Sequence, residues 1–202
     1  MGDRDGTRPT RLTGAEPFHD AGQRVGADVF AFWQWSCSDL LSNATRGIVA
    51  EFLVAIALGI AKGLREEWAA HDLTTEEGIR IEVKSAAYVQ SWAQARPSRI
   101  IFGIRPSQRL DADANTGAGE AKRQADVYVF ALLATRERAA VDPLDVSQWR
   151  FYVLPTRVLD DTLGTQETIG LAGLERLGAE PVAWRELASA VQVAGHNARG
   201  GL

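Results

Sequence analysis

Four side chains in the first half of the chain combine types that could hydrolyse a phosphodiester. Glu82 and Lys84 lie two residues apart in "IRIEVKSA", where Ile79, Ile81 and Val83 alternate with Arg80, Glu82 and Lys84. That period of two predicts a strand, with Glu82 and Lys84 side by side on one face and the apolar residues on the other. Upstream, "TTEEG" ends in Gly78 and reads as a turn. "EWAAHDL" then becomes the partner arm of an antiparallel hairpin, and Asp72 comes to the end of the neighbouring strand. Two carboxylates so placed repel and raise a pKa unless a cation lies between them. They make a hard oxygen site of the kind Mg²⁺ uses, with waters and a phosphate completing its shell. Lys84 beside them can hold or deprotonate an attacking water and stabilise charge on a phosphoryl group. The chemistry so assembled is metal-assisted phosphodiester hydrolysis.

The fourth side chain is Glu51, in the apolar run "RGIVAEFLVAIALG" at residues 46–59. The run is too long for one strand and rich in Ala and Leu, which predicts a buried helix over roughly 44–62. Glu51 would share a stripe with Gly47, Ala55 and Leu58 and face something packed. A buried carboxylate must be paired, metal-bound or neutralised. Arg46 is open to two readings, as a partner for Glu51 or as a phosphate contact.

The elements that must position these residues follow in order along the chain. Residues 1–25 are rich in Gly, Arg and Asp, lack periodicity and read as a flexible leader. "DVFAFWQWSC" places Phe30, Trp33 and Cys37 at helical spacing. "SRIIFGIR", "ADVYVFALLA" and "WRFYVLP" read as strands, the last ended by Pro155. Between the first two of these, "PSQRLDADANTGAGEAKRQ" reads as a long polar loop. Gln124 and Tyr128 fall on a predicted strand; on a helix they would line the site. "TRVLDDTL" reads as a short helix, "LAGLERLG" and "PVAWRELASAVQVA" as two more, and residues 196–202 as a disordered tail. This order predicts one α/β (α+β) domain over residues 26–195, a sheet with helices on its faces.

"HDL" followed by "IEVKSA" resembles the PD-(D/E)XK nuclease motif of restriction-endonuclease-like folds. Asp72 matches the first acid and Glu82-Val83-Lys84 the (D/E)XK element, ten residues on. His71 stands where the motif has proline. Glu51 falls where the family carries an acid on its first core helix. The resemblance covers about residues 44–135 and implies a mixed central sheet with an αβββαβ core. It implies a DNA endonuclease using Mg²⁺, with Mn²⁺ as a substitute. Asp72 and Glu82 would bind the metal, with the Val83 carbonyl as an extra ligand and Glu51 completing the site directly or through water. Lys84 would orient or activate water. Cutting two strands with one site per chain predicts a homodimer. The rival reading is a catalytically inactive protein of the same fold, acting as a nucleic-acid-binding or scaffolding module.

The net charge of −4 and pI of about 5.4 argue against a protein that holds nucleic acid by bulk positive charge. They leave room for an acidic metal site with its basic residues kept local. Arg96, Arg99, Arg105, Lys122 and Arg123 stand in a stretch of local basic excess and, with Arg46, are candidates for phosphate contacts. A solvated surface is the plainer reading of that stretch. Trp33, Trp35, Trp68 and Trp92 read as core or interface residues. Tyr88 and Trp92, just past the Glu82–Lys84 strand, are the aromatics best placed to stack on a base. The single cysteine, Cys37, excludes an internal disulfide. No apolar run is long enough to span a membrane, and the polar N-terminus lacks a signal-peptide core, which predicts a cytoplasmic protein. A Gly-rich phosphate loop, a serine nucleophile elbow and a Cys–His pairing are all missing, so small-molecule enzymes of those kinds find no support.

Overall fold

The computed structural model describes residues 9–67, 69–111 and 116–199. Trp68, the first eight residues of the predicted leader and the last three of the predicted tail lie outside them. The chain divides into two compact units, Met1–Asp39 with Lys62–Glu66, and Leu40–Ala61 with Glu67–Leu202. In the first, part of the predicted leader forms a hairpin of β1 (Pro17–Asp20) and β2 (Gln23–Asp28). Its tip is Ala21–Gly22, both at positive φ (46° and 84°), the backbone that a two-residue hairpin turn requires. Helix α1 (Val29–Cys37) follows, capped by Asp28, whose carboxylate accepts from the Ala31 N–H at 2.8 Å. The predicted helix is therefore present, but none of its residues is buried and Trp35 is 86% exposed.

The second unit holds the predicted sheet. Helix α2 (Asn43–Ala57) leads into β3 (Leu73–Thr74), β4 (Arg80–Ala87), β5 (Ile101–Gly103), β6 (Ser107–Asp111), β7 (Thr116–Lys122), β8 (Val127–Leu133) and β9 (Trp149–Pro155). Then come α3 (Thr156–Leu163), β10 (Thr168–Gly170), α4 (Leu171–Arg176) and α5 (Leu187–Arg199). The central sheet has the order β3-β4-β8-β9 and is mixed: β4 and β8 run parallel, the other pairs antiparallel. All seven residues of β8 are buried, which explains its unbroken apolar sequence, since a central strand is covered on both faces. Helix α2 ends five residues before the predicted limit of about 62, at Leu58 and a left-handed Gly59 (φ 70°), a common helix stop.

Two apolar layers clasp the sheet. Odd-numbered positions of β4 and β8, such as Ile81, Val83, Val127 and Val129, pack with Ala50, Leu53 and Val54 of α2 and Leu187 and Val191 of α5. Even-numbered positions, Ala86, Tyr128, Phe130 and Leu132, pack with Phe102, Leu159, Ile169 and Leu174. Helix α5 continues through residues predicted as tail to Arg199, whose guanidinium donates to the Glu77 carbonyl at 2.9 Å and to that of Gly78. Strand β5 pairs with β10 outside the four-stranded sheet. The stretch predicted as a long loop is instead a ribbon, β6 paired antiparallel with β7. In a two-stranded ribbon only the inner-edge backbone groups pair with each other, and these bonds form without regard to side-chain pattern, so a stretch with no apolar alternation can build one. No helix among the described residues is long and apolar enough to cross a membrane.

Two arginines expected at phosphates are structural instead. Arg46 is buried, and its guanidinium donates to Asn43 Oδ1 (2.7 Å), the Leu41 carbonyl (2.9 Å), Gln90 Oε1 (3.0 Å) and Ser85 Oγ (3.2 Å). It pins the first turn of α2 to the far end of β4. Burial lowers its pKa. Arg123 is buried just before β8 and donates to Asp160 Oδ1 (2.6 Å) and to the carbonyls of Ile104 (2.8 Å), Gly164 (2.9 Å) and Gln166 (3.1 Å). Removing either leaves several acceptors without donors. Arg46→Ala and Arg123→Ala are each expected to lose about 2–4 kcal/mol of stability. Urea unfolding would check this: an unchanged midpoint would return both to the list of phosphate contacts.

Candidate functional site

The site grows from a shortfall of backbone pairing. Strand β3 has two residues against the eight of β4, so most of that edge of β4 has no strand beside it. Asp72 stands just before β3. Its N–H donates to the Ile81 carbonyl at 3.0 Å, and its Oδ2 accepts from the Val83 N–H at 2.7 Å. A carboxylate thus takes the place of the next strand residue. The N–H and C=O of one strand residue point to the same side, so the Val83 carbonyl faces the same edge.

Glu82 and Lys84 leave β4 on the face away from α2, partly buried, with Lys84 Nζ donating to Glu82 Oε1 at 2.5 Å. In the parallel ladder Glu82 lies opposite Tyr128 and Lys84 opposite Phe130. Tyr128 is 4% exposed. Its hydroxyl is pushed well above the ordinary phenol range, first by burial and then by the Glu82 charge, so it stays protonated. The sequence places Tyr128 on a strand and away from the site; the strand is there, but its register brings Tyr128 beside Glu82. Only knowledge of the β4–β8 pairing could have shown this. Gln124 is turned to the base of the ribbon, where Nε2 donates to the carbonyls of Ser107 (3.1 Å) and Lys122 (3.3 Å).

Glu51 is half-buried on α2, one position past Ala50 of the core. Its charge reaches Asp72. Among the other predicted contacts, Arg96, Arg99, Arg105 and Lys122 are exposed. Arg105 pairs loosely with Glu167 at 3.3 Å. Trp92, 53% exposed, lies outside the core.

Electrostatically the four predicted residues are one group. The Asp72 carboxyl is raised to about 6, chiefly by burial and then by the negative charge of Glu82. The Val83 N–H opposes the rise, Glu51 adds to it and Lys84 counters it. Among the described residues no group of three or more His, Cys, Asp or Glu side chains is placed to hold a metal ion. The arrangement is an open pair, Asp72 and Glu82, with Glu51 behind. A raised pKa means that the folded state binds a proton more readily than the unfolded chain. Stability therefore falls as pH rises from about 4 through 6. Asp72→Asn keeps an acceptor for the Val83 N–H and lacks the charge. Without divalent metal it is expected to be about 1–3 kcal/mol more stable than the parent at pH 7. The gain should vanish near pH 4, as thermal unfolding across that range would show; a gain independent of pH would contradict the electrostatic account.

No curated protein matches the chain. The family model described as bacteriophage T4 endonuclease IV matches residues 33–166. That span holds α2, Asp72, all of β4 and β8, and so every residue that meets at the β4 edge. It covers more than half of the 202 residues, and the chain belongs to the bacteriophage T4 endonuclease IV family.

Proposed function

We propose that this protein is a metal-dependent DNA endonuclease of the PD-(D/E)XK kind, acting as a homodimer. One observation carries the reading. Glu51, Asp72, Glu82 and Lys84 come from a helix, a strand end and a strand, yet the charges of Glu82, Glu51 and Lys84 all reach the Asp72 carboxylate, which the Val83 N–H holds at 2.7 Å. Asp72, Glu82 and the Val83 carbonyl would hold Mg²⁺ or Mn²⁺, with Glu51 at the third corner. The residues fit such an ion: a small hard cation takes one or two carboxylates and keeps several waters, and the like charges of Glu82 and Glu51 around a half-buried Asp72 favour one. When bound, the ion polarises the phosphate and makes a metal-held water more acidic.

The remaining work falls to the chain. The Val83 N–H keeps the Asp72 carboxylate aimed along the open strand edge. Lys84 holds the attacking water on the solvent side of Glu82 and stabilises the charge that grows on the phosphoryl oxygens. Tyr128 keeps a neutral hydroxyl beside Glu82 and excludes bulk water from its inner side. Glu82→Gln and Lys84→Ala are each expected to lower Mg²⁺-dependent cleavage of DNA at least about 100-fold, with thermal unfolding little changed. Glu51→Gln should raise the Mg²⁺ concentration needed for half-maximal rate more than it lowers stability. Cleavage at the parent rate by either of the first two variants would sink the assignment and favour a binding protein of the same fold.

A further inference from the structure

A second feature lies on the same sheet face as Glu82 and Lys84. A groove of about 1200 Å³ is lined by Tyr88, Arg96, Arg99, Arg136 and Arg176, together with small and apolar residues. The four arginines come from three separate places: the loop after β4, the segment after β8, and the last turn of α4. No carboxylate lines the groove among the described residues, although the chain as a whole carries −4. None of these arginines forms an ion pair among the described residues. Arg136 lies over the Tyr88 ring with its guanidinium carbon 3.9 Å from the centroid. Such stacking holds a cation in place while leaving its in-plane donors free. Four gathered guanidinium groups without a neutralising acid call for an anion with several acceptor oxygens, and planar forks of this kind suit phosphate.

The groove is also in line with the candidate site. Side chains at 82, 84 and 86 leave one face of β4, and Ala86 and Tyr88 join the apolar cluster beneath that face. At about 3.3 Å per residue, Tyr88, one residue past the end of β4, stands at most about 13 Å from Lys84. A nucleic-acid strand advances about 3.4 Å per nucleotide in a duplex, so the groove lies within about four nucleotides of a bond held at Lys84. We propose that it is a phosphodiester-backbone site. Arg96, Arg99, Arg136 and Arg176 would grip the substrate strand there, which positions the strand without reading its sequence. The inference rests on the nuclease reading only for the place of the cut.

The test is binding of a fluorescent DNA oligonucleotide to the full chain in EDTA, followed by anisotropy over a series of salt concentrations. Arg96→Gln with Arg99→Gln, and separately Arg136→Gln with Arg176→Gln, should each weaken binding about tenfold or more. Each pair should also flatten the dependence of log K on log salt by about one per arginine removed. Thermal unfolding checks each pair, and single variants, expected to flatten it by about one each, replace any pair that unfolds. A small phosphodiester too short to reach the groove should be cleaved at the parent rate by both pairs. Inorganic phosphate at matched phosphate concentration should compete poorly; effective competition would mean a site for free anions and overturn the proposal. An unchanged salt dependence in both pairs would overturn it while leaving the nuclease reading in place. Loss of that dependence in a protein whose Lys84→Ala variant still cleaves like the parent would keep the groove and remove the assigned site.

Discussion

The edge of β4 governs this structure, because a strand edge carries backbone groups that must be paired or wetted. Strand β3 supplies only Leu73 and Thr74, and the Asp72 carboxylate takes the Val83 N–H beyond them. That bond holds a charged group at a half-buried place it would otherwise leave. The opening it leaves admits Glu51 from one side of the sheet and Glu82 from the other. Had β3 run two residues further, a backbone carbonyl would have filled the position and the acids would have been walled apart. The gathering of these charged groups therefore follows from where a strand stops.

The chain uses arginine for three different purposes. Arg46 and Arg123 are buried scaffolding, each satisfying several acceptors from distant segments. Arg80 and Arg199 pair with Asp126 at the start of β8. The groove arginines form no ion pair among the described residues. A charge run in the sequence does not separate these uses. Arg123 sits in the same basic stretch as Arg96 and Arg99, yet it is inside and they are outside.

Much of the architecture was legible because it rests on local periodicity. The alternation from Ile79 to Lys84, the apolar run of β8 and the stop at Pro155 each report one element and its buried face. The pairing of Asp72 with that strand followed from a single turn at Gly78. What stayed hidden was non-local. The ribbon β6–β7 lies in a polar, Gly-containing stretch with no apolar alternation to announce it. Tyr128 gains its place beside Glu82 from register alone. Hairpin β1–β2 rests on a turn of Ala21 and Gly22 in a stretch that otherwise reads as irregular. Arg136 and Arg176 are far from Arg96 in sequence and meet it only across the second apolar layer.

The crossover from β4 to β8 has a consequence for how the protein comes into being. These strands are parallel neighbours, and contacts such as Arg80 with Asp126 join residues 46 apart. The described residues of the intervening chain form short strands and a ribbon rather than a helix, so little local structure shortens the search. Parallel pairing of this kind carries a loop-closure cost before it gives anything back, and it places such folds among slow folders. A register slip of one residue would drive Glu82 and Lys84 into the layer under α2 and turn Ile81 and Val83 out. Correct pairing and correct charge placement are thus fixed together by one register. A nascent or partly unfolded chain carries every residue of the candidate site and none of its geometry, so whatever that site does waits on the completed fold.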